Sequence, residues 1–312
     1  MDEVAPGIRR LTLALPFGID HVHCYFVRRE SGGWLLVDTG LGGPAAMETW
    51  RGVLAELSGA VELIFVTHFH PDHVGAAGVV AGLTGAPVVQ GRLDYEQCLG
   101  AWGAADARAR TRGHLEIHGM PADEAEAVAG HHARLVGAIQ FARDPELVDP
   151  GDRVDGWETV HLPGHADGHL SLLRDGILIA GDALLAGITP NVGIYHGSRP
   201  DPLDDYLDSL GRIARLGPRL ALAGHGPAIP DPAGRARDIA GHHRERLEQI
   251  AHALDGRPRS AYDVSLSLFP GALPPALRRM ALAESLAHLE HLALRGEIAR
   301  AGEAERVLYQ AG

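Results

Sequence analysis

The segment that most constrains this chain is a short histidine-rich stretch that directly follows a hydrophobic run. Residues 61–66 (VELIFV) are apolar and partly β-branched, which predicts a buried strand. The next seven residues read THFHPDH, and they contain four potential metal ligands: His68, His70, Asp72 and His73. A tight loop between a strand and a helix can aim three imidazoles and a carboxylate at one small volume. Such a ligand set suits a hydrolytic metal centre with an open coordination position.

A chance histidine-rich surface loop is the alternative interpretation, because the chain contains 19 histidines. Three later segments weigh against it, since each places a histidine or an aspartate just after an apolar run. These residues are His165 after 159–162, Asp182 after 177–180 and His225 after 220–223. If the four strands lie side by side, their carboxyl ends converge on one edge of a sheet. Glycines next to these residues allow the sharp turns that such a site requires.

Length, composition and charge limit the classes of protein that fit. A chain of 312 residues predicts one large domain and a small one. The net charge of −12 weighs against a nucleic-acid partner, although bound metal ions would add local positive charge. No apolar run approaches the length of a membrane span, and the N-terminus lacks the features of a secretory signal. Two cysteines imply no disulfide framework, so we expect a cytoplasmic protein without a membrane partner.

The pattern of apolar residues divides the chain into two domains, and the first of them carries an insertion. Residues 1–230 contain the predicted strands and the four ligand segments. Within them, residues 92–147 are rich in alanine, glutamate and arginine and predict a helical insertion. This insertion either roofs an active site or packs on the sheet without contacting substrate.

Residues 231–312 predict a small C-terminal domain. Three helices (233–254, 261–269 and 275–295) followed by a hairpin are the outline of a winged-helix unit, which often binds DNA. The third helix carries Arg278 and Arg279 but also glutamates and histidines, so it is not a basic recognition helix. Packing or formation of a homodimer is therefore the preferred role of this domain.

The ordered motifs resemble those of the metallo-β-lactamase-fold hydrolases over about residues 8–230. The motifs are His68-x-His70-x-Asp72-His73, Pro163-Gly164-His165, Gly181-Asp182, Gly224-His225 and the turn Asp38-Thr39-Gly40. The resemblance implies an α/β fold, an αββα sandwich with the helical insertion and the small winged-helix domain added to it. The tail from residue 231 onward resembles the extension of a subgroup that contains a lactamase-like endoribonuclease and several thioesterases.

The resemblance also implies two divalent metal ions and their ligands. His68, His70 and His165 would hold the first ion, and Asp72, His73 and His225 the second, with Asp182 bridging both. Zinc is the expected metal, although the same ligands accept iron or manganese. A hydroxide between the ions would be the nucleophile, and Asp72 would also act in catalysis by orienting it and passing a proton to the leaving group.

Several further residues are candidates for supporting roles. Asp38, at a strand end, is expected to lie beneath the ligand loop and orient it. His169 would steady the metal site or make a hydrogen bond elsewhere. Tyr195 and His196 follow the Asp182 strand on a glycine-containing loop and would contact substrate or stabilise an oxyanion. His21 and His23 lie on one face of a strand, where they would belong to the rim of the site or to the core.

Two functions compatible with these residues remain. The first is a dinuclear metal-dependent hydrolase that acts on a small-molecule ester, thioester or lactone. The alternative is a metal-dependent endoribonuclease or phosphodiesterase, which the winged-helix outline supports and the net charge opposes. A metal-free scaffold would leave seven intact ligand residues without a purpose.

Overall fold

A computed structural model describes residues 1–16, 18–302 and 306–312, and its first sheet has seven strands. They are β1 (Asp2–Ala5), β2 (Ile8–Ala14), β3 (His21–Arg28), β4 (Trp34–Val37), β5 (Val61–Val66), β6 (Val88–Gly91) and β7 (Glu146–Val148). Their order in the sheet follows the order in the chain. The first four strands are antiparallel, and β4 to β7 run parallel. Strands β4 and β6 are short and buried along their whole length, as expected for parallel strands covered on both faces.

The second sheet has five strands from the middle of the chain. They are β8 (Arg153–Val154), β9 (Trp157–His161), β10 (Leu170–Arg174), β11 (Ile177–Gly181) and β12 (Leu220–Ala223). Their order is β12-β11-β10-β9-β8, and only the β11 and β12 pair is parallel. Strands β9, β11 and β12 therefore point the same way, so that the segments following them leave from the same edge.

Helices cover the outer face of each sheet and fill the long connections. They are α1 (Ala46–Glu56), α2 (Pro71–Val74), α3 (Ala77–Thr84), α4 (Arg92–Trp102), α5 (Ala107–Ile117), α6 (Ala122–Val136), α7 (Pro202–Leu216), α8 (Pro232–Ala253), α9 (Ala261–Leu268) and α10 (Pro275–Leu294). In the described part of the chain, none of them is both long and apolar enough to cross a bilayer.

The core shows the predicted αββα sandwich. Phe65 of the first sheet and Trp157 and Leu222 of the second lie in one buried cluster between the two sheets. Trp50 of α1 packs on the outer face of the first sheet, and Tyr206 of α7 packs on that of the second. Each sheet is therefore buried on both faces, which the continuous apolar runs of its central strands require.

The predicted insertion contains three helices, α4 to α6, and they end earlier than expected. The chain returns to the first sheet as β7, so the helical part covers residues 92–136 of the range 92–147. Leu115 and Val128 of the insertion pack against Leu282 of α10. The insertion is thus joined to the C-terminal part of the chain by a small apolar core of its own.

The three predicted C-terminal helices and the hairpin are present. The hairpin pairs β13 (Ile298–Ala301) with β14 (Leu308–Ala311). Helix α8 connects two cores, because Ile239 packs in the cluster of the second sheet and Ile250 in the C-terminal cluster. A capping box between Ser260 and Asp263 begins α9, which satisfies backbone groups at the helix start.

The structure corrects two expectations. The histidine-rich stretch is not a loop throughout, because Pro71 begins the helical turn α2, and proline is well accommodated at the first position of a helix. The four ligand-bearing strands do not lie side by side, since β5 belongs to the first sheet and β9, β11 and β12 to the second. The two sheets meet at this edge instead, where Leu170 donates a backbone hydrogen bond of 2.9 Å to the Thr67 carbonyl.

Candidate metal centre

The histidine-rich loop is held in place by backbone contacts directly after β5. Thr39 donates a backbone hydrogen bond of 2.9 Å to the carbonyl oxygen of His73, and its hydroxyl donates to the same oxygen at 2.8 Å. The turn of α2 places Asp72 and His73 one after the other in the first helical turn. As a result, four neighbouring residues of the sequence present their side chains to one small volume.

Three histidines form the first ligand group. Nε2 of His68 lies 3.0 Å from Nδ1 of His70, which lies 2.8 Å from Nε2 of His165. Two nitrogens on a tetrahedral zinc ion with bonds of about 2.0–2.1 Å would be roughly 3.3 Å apart. Small side-chain shifts would therefore admit an ion. The other nitrogen of His165, Nδ1, is 2.8 Å from the Asn191 carbonyl, which holds the ring in its orientation.

Asp72, His73 and His225 form the second group, and Asp182 lies between the two groups. Nε2 of His225 is 3.3 Å from an oxygen of Asp72 and 3.2 Å from Oδ2 of Asp182. The other oxygen, Oδ1 of Asp182, is 3.4 Å from Nε2 of His73. Oδ2 of Asp182 is also 3.6 Å from Nε2 of His165. The carboxylate of Asp182 therefore reaches both groups.

Unsatisfied polar atoms indicate that these residues fit a metal ion. Nε2 of His73 and Oδ1 of Asp182 are buried and have no hydrogen-bond partner among the described residues. A buried polar atom without a partner lowers the stability of the folded state, and a bound cation would supply the missing interaction. A side chain at Gly224 would collide with the Asp182 carboxylate. Only glycine therefore lets the backbone pass this close to the candidate metal site.

The electrostatics of the site favour cations. Burial and the neighbouring imidazoles lower the pKa of His68 well below its usual range, so its ring is neutral and can donate a lone pair. Burial opposes the charged form of His225, but Asp182 outweighs it and raises the pKa of His225 to about 10. Burial likewise opposes the charge of Asp182, yet His225 and His73 hold its pKa well below its usual range. A metal ion would take the place of the protons that these groups share.

Asp38 lies beneath the histidine-rich loop. Its carboxylate accepts hydrogen bonds of 2.8 Å from the backbone amide and the hydroxyl of Thr67. It also lies 2.8 Å from Nδ1 of His73, which leaves Nε2 of that ring facing the site. Asp38 has a positive φ of 60°, which aspartate tolerates better than most residues. The side chain thereby orients both the start and the end of the loop.

His169 also lies next to the ligand residues. Its ring stacks on His68 with centroids 4.8 Å apart, and its Nε2 accepts a hydrogen bond of 3.2 Å from the backbone amide of Asp182. Burial lowers the pKa of His169 to about 3, so the ring is neutral. The side chain packs between two ligand segments and supports both.

Tyr195 and His196 stand outside the cluster of ligand atoms. The Tyr195 hydroxyl donates a 2.8 Å hydrogen bond to Oδ1 of Asn191, the residue whose carbonyl lies next to His165. His196 is exposed, and both residues line a small cavity next to α10. They are therefore linked to the site through Asn191 and do not contact its centre directly.

Two histidines have a clearer role than the sequence indicated. Nε2 of His21 accepts a hydrogen bond of 2.9 Å from the Gly226 amide, and Nε2 of His23 lies 2.9 Å from the Gly226 carbonyl. The carbonyl of His21 also lies 2.6 Å from Nδ1 of His225. Together they fix the loop that carries His225. In the sequence, only their spacing of two residues on β3 indicated that both side chains lie on the same face of the strand.

Asp94 was not predicted as part of the site. It is fully buried in α4 and accepts a hydrogen bond of 2.9 Å from the backbone amide of Phe69, between two ligand histidines. Trp102 of the same helix donates to the Phe69 carbonyl at 2.7 Å. The insertion therefore supports the ligand loop. A single aspartate in a helical stretch gives no sequence signal for this contact.

Comparisons with known proteins agree with this geometry. Residues 17–225 match the metallo-beta-lactamase superfamily, and residues 247–310 match the metallo-beta-lactamase-like C-terminal domain. The structure of the metallo-beta-lactamase family protein TTHA1429 from Thermus thermophilus superposes with a TM-score of 0.87 and 36% identity. That alignment covers 99% of this chain and 100% of the other.

Two sequence relatives are similar at lower identity. The probable metallo-hydrolase YqjP of Bacillus subtilis is 26% identical over 299 residues, 89% of each chain. A hydroxyacylglutathione hydrolase of Alkalilimnicola ehrlichii is 27% identical over 59% of this chain and 56% of its own length. Members of the superfamily generally bind two metal ions. The chain therefore belongs to the metallo-beta-lactamase superfamily, in which it is a metallo-hydrolase.

Proposed function

We propose that the chain is a dinuclear metal-dependent hydrolase of a small ester, thioester or lactone. The observation that carries this proposal is the convergence of seven histidine and aspartate side chains into two ligand groups that share Asp182. The buried atoms of His73 and Asp182 without a partner support it, because they are positioned to bind a cation.

Each ligand group is assigned to one ion. His68, His70 and His165 would hold the first, Asp72, His73 and His225 would hold the second, and Asp182 lies within reach of both groups. When bound, two such ions supply Lewis acidity and lower the pKa of water towards neutrality. Zinc is our first choice because the set of imidazoles and carboxylates suits it, and iron or manganese would be accepted by the same atoms.

Asp72 is the ligand that we assign a second task. Its side chain is 18% exposed, against 8% for Asp182, so it lies towards the open side of the site. A carboxylate in that position can orient a nucleophile and carry a proton to a leaving group. Asp38 and His169 hold the loops around it, and Tyr195 with His196 would contact substrate further from the metal ions.

The choice of an ester or thioester rests on charge and on one group of relatives. The net charge of −12 disfavours a polyanionic substrate such as RNA. Relatives named hydroxyacylglutathione hydrolase act on a thioester, and they support the same reaction class here.

The alternative function is that of an endoribonuclease or phosphodiesterase, and the outline of the C-terminal domain favours it. The three C-terminal helices and their hairpin have the outline of a winged helix. However, Arg278 of the third helix donates to the Gly271 carbonyl at 2.8 Å and lies 3.6 Å from Glu124, so it is committed to internal contacts. We therefore assign this domain a role in packing or in homodimer formation. We also propose that the protein is cytoplasmic.

Hydrolysis assays with the purified protein test the proposal. The panel contains thioesters, esters, lactones, a phosphodiester and single-stranded RNA, each with and without a chelator. We expect chelator-sensitive cleavage of at least one carbonyl substrate and none of RNA. Cleavage of RNA alone would favour the alternative, and hydrolysis that survives complete metal removal would contradict both.

A further inference from the structure

The loop after β11 connects the metal centre with the C-terminal domain. Asn191 lies in this loop, and its carbonyl oxygen is 2.8 Å from Nδ1 of His165. In the described part of the chain, this oxygen is the one hydrogen-bond partner of Nδ1. Because a carbonyl only accepts, Nδ1 carries the ring proton and the lone pair of Nε2 faces the site of the first ion. One backbone carbonyl thus sets the orientation and the tautomer of His165.

The side chain of Asn191 holds that carbonyl in place, because both ends of its amide are engaged. Oδ1 accepts a hydrogen bond of 2.8 Å from the hydroxyl of Tyr195. Nδ2 donates to Oε2 of Glu284 at 3.1 Å and to the carbonyl of Met280 at 3.4 Å. Glu284 and Met280 are about one turn apart on α10. Asn191 therefore joins the carbonyl that orients a candidate ligand to a helix of the C-terminal domain.

The residues that follow Asn191 also lie against α10. The backbone amide of Ile194 donates a hydrogen bond of 3.1 Å to the carbonyl of Ala283. A β-carbon at Gly193 would lie 2.9 Å from the β-carbon of Ala283, so only glycine lets the loop come this close to the helix. Loop and helix are therefore in tight contact, and a shift of α10 would move Asn191 with it.

Glu284 is the charged residue in this contact. Its side chain is only 17% exposed, and its Oε1 lies 3.8 Å from Nε of Arg246 on α8, which balances the charge. The other oxygen, Oε2, accepts from Asn191. A hydrogen bond to a charged acceptor is stronger than one to a neutral acceptor. Among the contacts of the Asn191 amide, the one with Glu284 therefore contributes most to its position.

We propose that Glu284 is a positioning residue of the metal centre, which acts through Asn191 on His165, so that the C-terminal domain sets how tightly the first ion is bound. This inference rests on the two-ion site proposed above. It gives α10 a role beyond packing, because the helix holds the ligand that the second sheet delivers to the first ion. The path of contacts reaches His165 and bypasses the three ligands of the second ion. The effect of Glu284 is therefore selective for the first ion.

Zinc titration of the metal-free protein, in competition with a chromophoric chelator, tests the proposal. Glu284→Met removes the acceptor and keeps a side chain of similar length. It should weaken binding of the first ion about ten- to one-hundred-fold, the usual effect of losing a group that orients a ligand, and leave the second ion unchanged. His70→Ala, which lacks a ligand of the first group, identifies the titration step of the first ion. Glu284→Gln keeps an oxygen that accepts from Asn191 and should retain most of the affinity.

Glu290→Met is the matched control on the same helix. Glu290 also has an internal partner, since it accepts a hydrogen bond from the hydroxyl of Tyr309 in the C-terminal hairpin. Its replacement should lower the thermal stability of the protein and leave both metal affinities unchanged. Equal loss of affinity in the two methionine variants would indicate general destabilisation and overturn the proposal. An unchanged first site in Glu284→Met would overturn it as well.

A double-mutant cycle tests the path through Asn191. Asn191→Ala keeps the backbone carbonyl and removes its side-chain anchor, so it should also weaken the first ion selectively. Adding Glu284→Met to Asn191→Ala should cause no further loss, because both changes break the same contact. Losses that multiply in the double variant would show that Glu284 acts by another route, which would overturn the proposal.

Metal binding separates this inference from the proposed function. If the wild type binds two ions and Glu284→Met weakens the first, but none of the panel substrates is hydrolysed, the hydrolase function is contradicted and the role of Glu284 stands. If a substrate is hydrolysed while Glu284→Met leaves the first ion unchanged, only the role of Glu284 is contradicted. A wild type that binds no metal would overturn both.

Discussion

At the scale of single residues, the site depends on side chains that hold the ligands as well as on the ligands themselves. The candidate ligands and Asp38 could be singled out because each lies in a segment that follows a hydrophobic strand in the sequence. His23 could not be assigned, because the carbonyl that it contacts, that of Gly226, lies 203 residues further along the chain. Only the fold shows that Glu284, and not Glu290 on the same helix, reaches the loop next to the metal centre.

Replacing Asp38 with asparagine should weaken metal binding by about ten- to one-hundred-fold, the usual effect of losing an orienting carboxylate. Asparagine keeps the shape of the side chain and tolerates positive φ, but it cannot accept equally from Thr67 and His73. Competition with a chromophoric chelator measures the affinity. Asp175→Asn is the control, because Asp175 also has a positive φ and lies in the turn between β10 and β11. Equal affinity in both variants would remove Asp38 from the site.

Replacing His23 with leucine should weaken only the ion held by Asp72, His73 and His225, by about tenfold. The change removes the contact with the loop of His225 and leaves the group around His70 untouched. Titration with metal in the presence of a chelator should resolve one weakened site and one unchanged site. His23→Gln retains an N–H donor and should behave more like the wild type. Equal weakening of both sites would contradict this assignment.

At the scale of elements, most helices and most central strands were predictable from periodicity, but their arrangement was not. The residues of β5 and β9 look alike in sequence, and only pairing over long distances assigns them to different sheets. Strand β7 has three residues and helix α7 was not predicted, although Asp201 and Pro202 mark its start. Short edge strands carry too few residues for a periodic signal.

A buried histidine pair should make the contact between α8 and α10 sensitive to acid. Nδ1 of His243 lies 3.1 Å from Nε2 of His288, and burial lowers their pKa values to about 3 and about 4. The unfolded state, with ordinary values near 6.5, binds more protons between pH 6.5 and 4, so stability is full above pH 6.5 and falls below it.

We expect a loss on the order of 1–2 kcal/mol per histidine between pH 6.5 and 5. Hydrogen exchange of α8 and α10 amides at both pH values measures it, after correction for the intrinsic pH dependence of exchange. His288→Gln should reduce the effect. Protection of these helices that does not change with pH would show that the pair is not buried in the neutral form.

The apolar contact between the insertion and α10 should hold both elements in place. Leu282 is fully buried against α5 and α6, so Leu282→Ala should lower the free energy of unfolding by about 2–5 kcal/mol. Hydrogen exchange should increase in α5, α6 and α10 before it increases in the central strands. Leu294→Ala on the same helix is the control, because that side chain is 59% exposed. Similar losses in both variants would argue against this small core.

At the scale of the whole molecule, the sandwich explains why the site has two halves. The first sheet delivers His68 to His73 on one loop, and the second sheet delivers His165, Asp182 and His225 on three loops. The site therefore exists only when both sheets are packed. The αββα layers were expected from the resemblance of the motifs, whereas the contact of the insertion with the histidine-rich loop and with α10 depends on packing between distant parts of the chain.

The account is tested most directly by titrating metal-free protein with zinc while hydrolysis of a thioester or lactone substrate is followed. We predict that activity is absent without metal and reaches its plateau at two ions per chain. Asp182→Ala should bind fewer ions and remain inactive, because the shared carboxylate is missing. Full activity of the metal-free protein, or of Asp182→Ala, would contradict a two-metal centre built on Asp182.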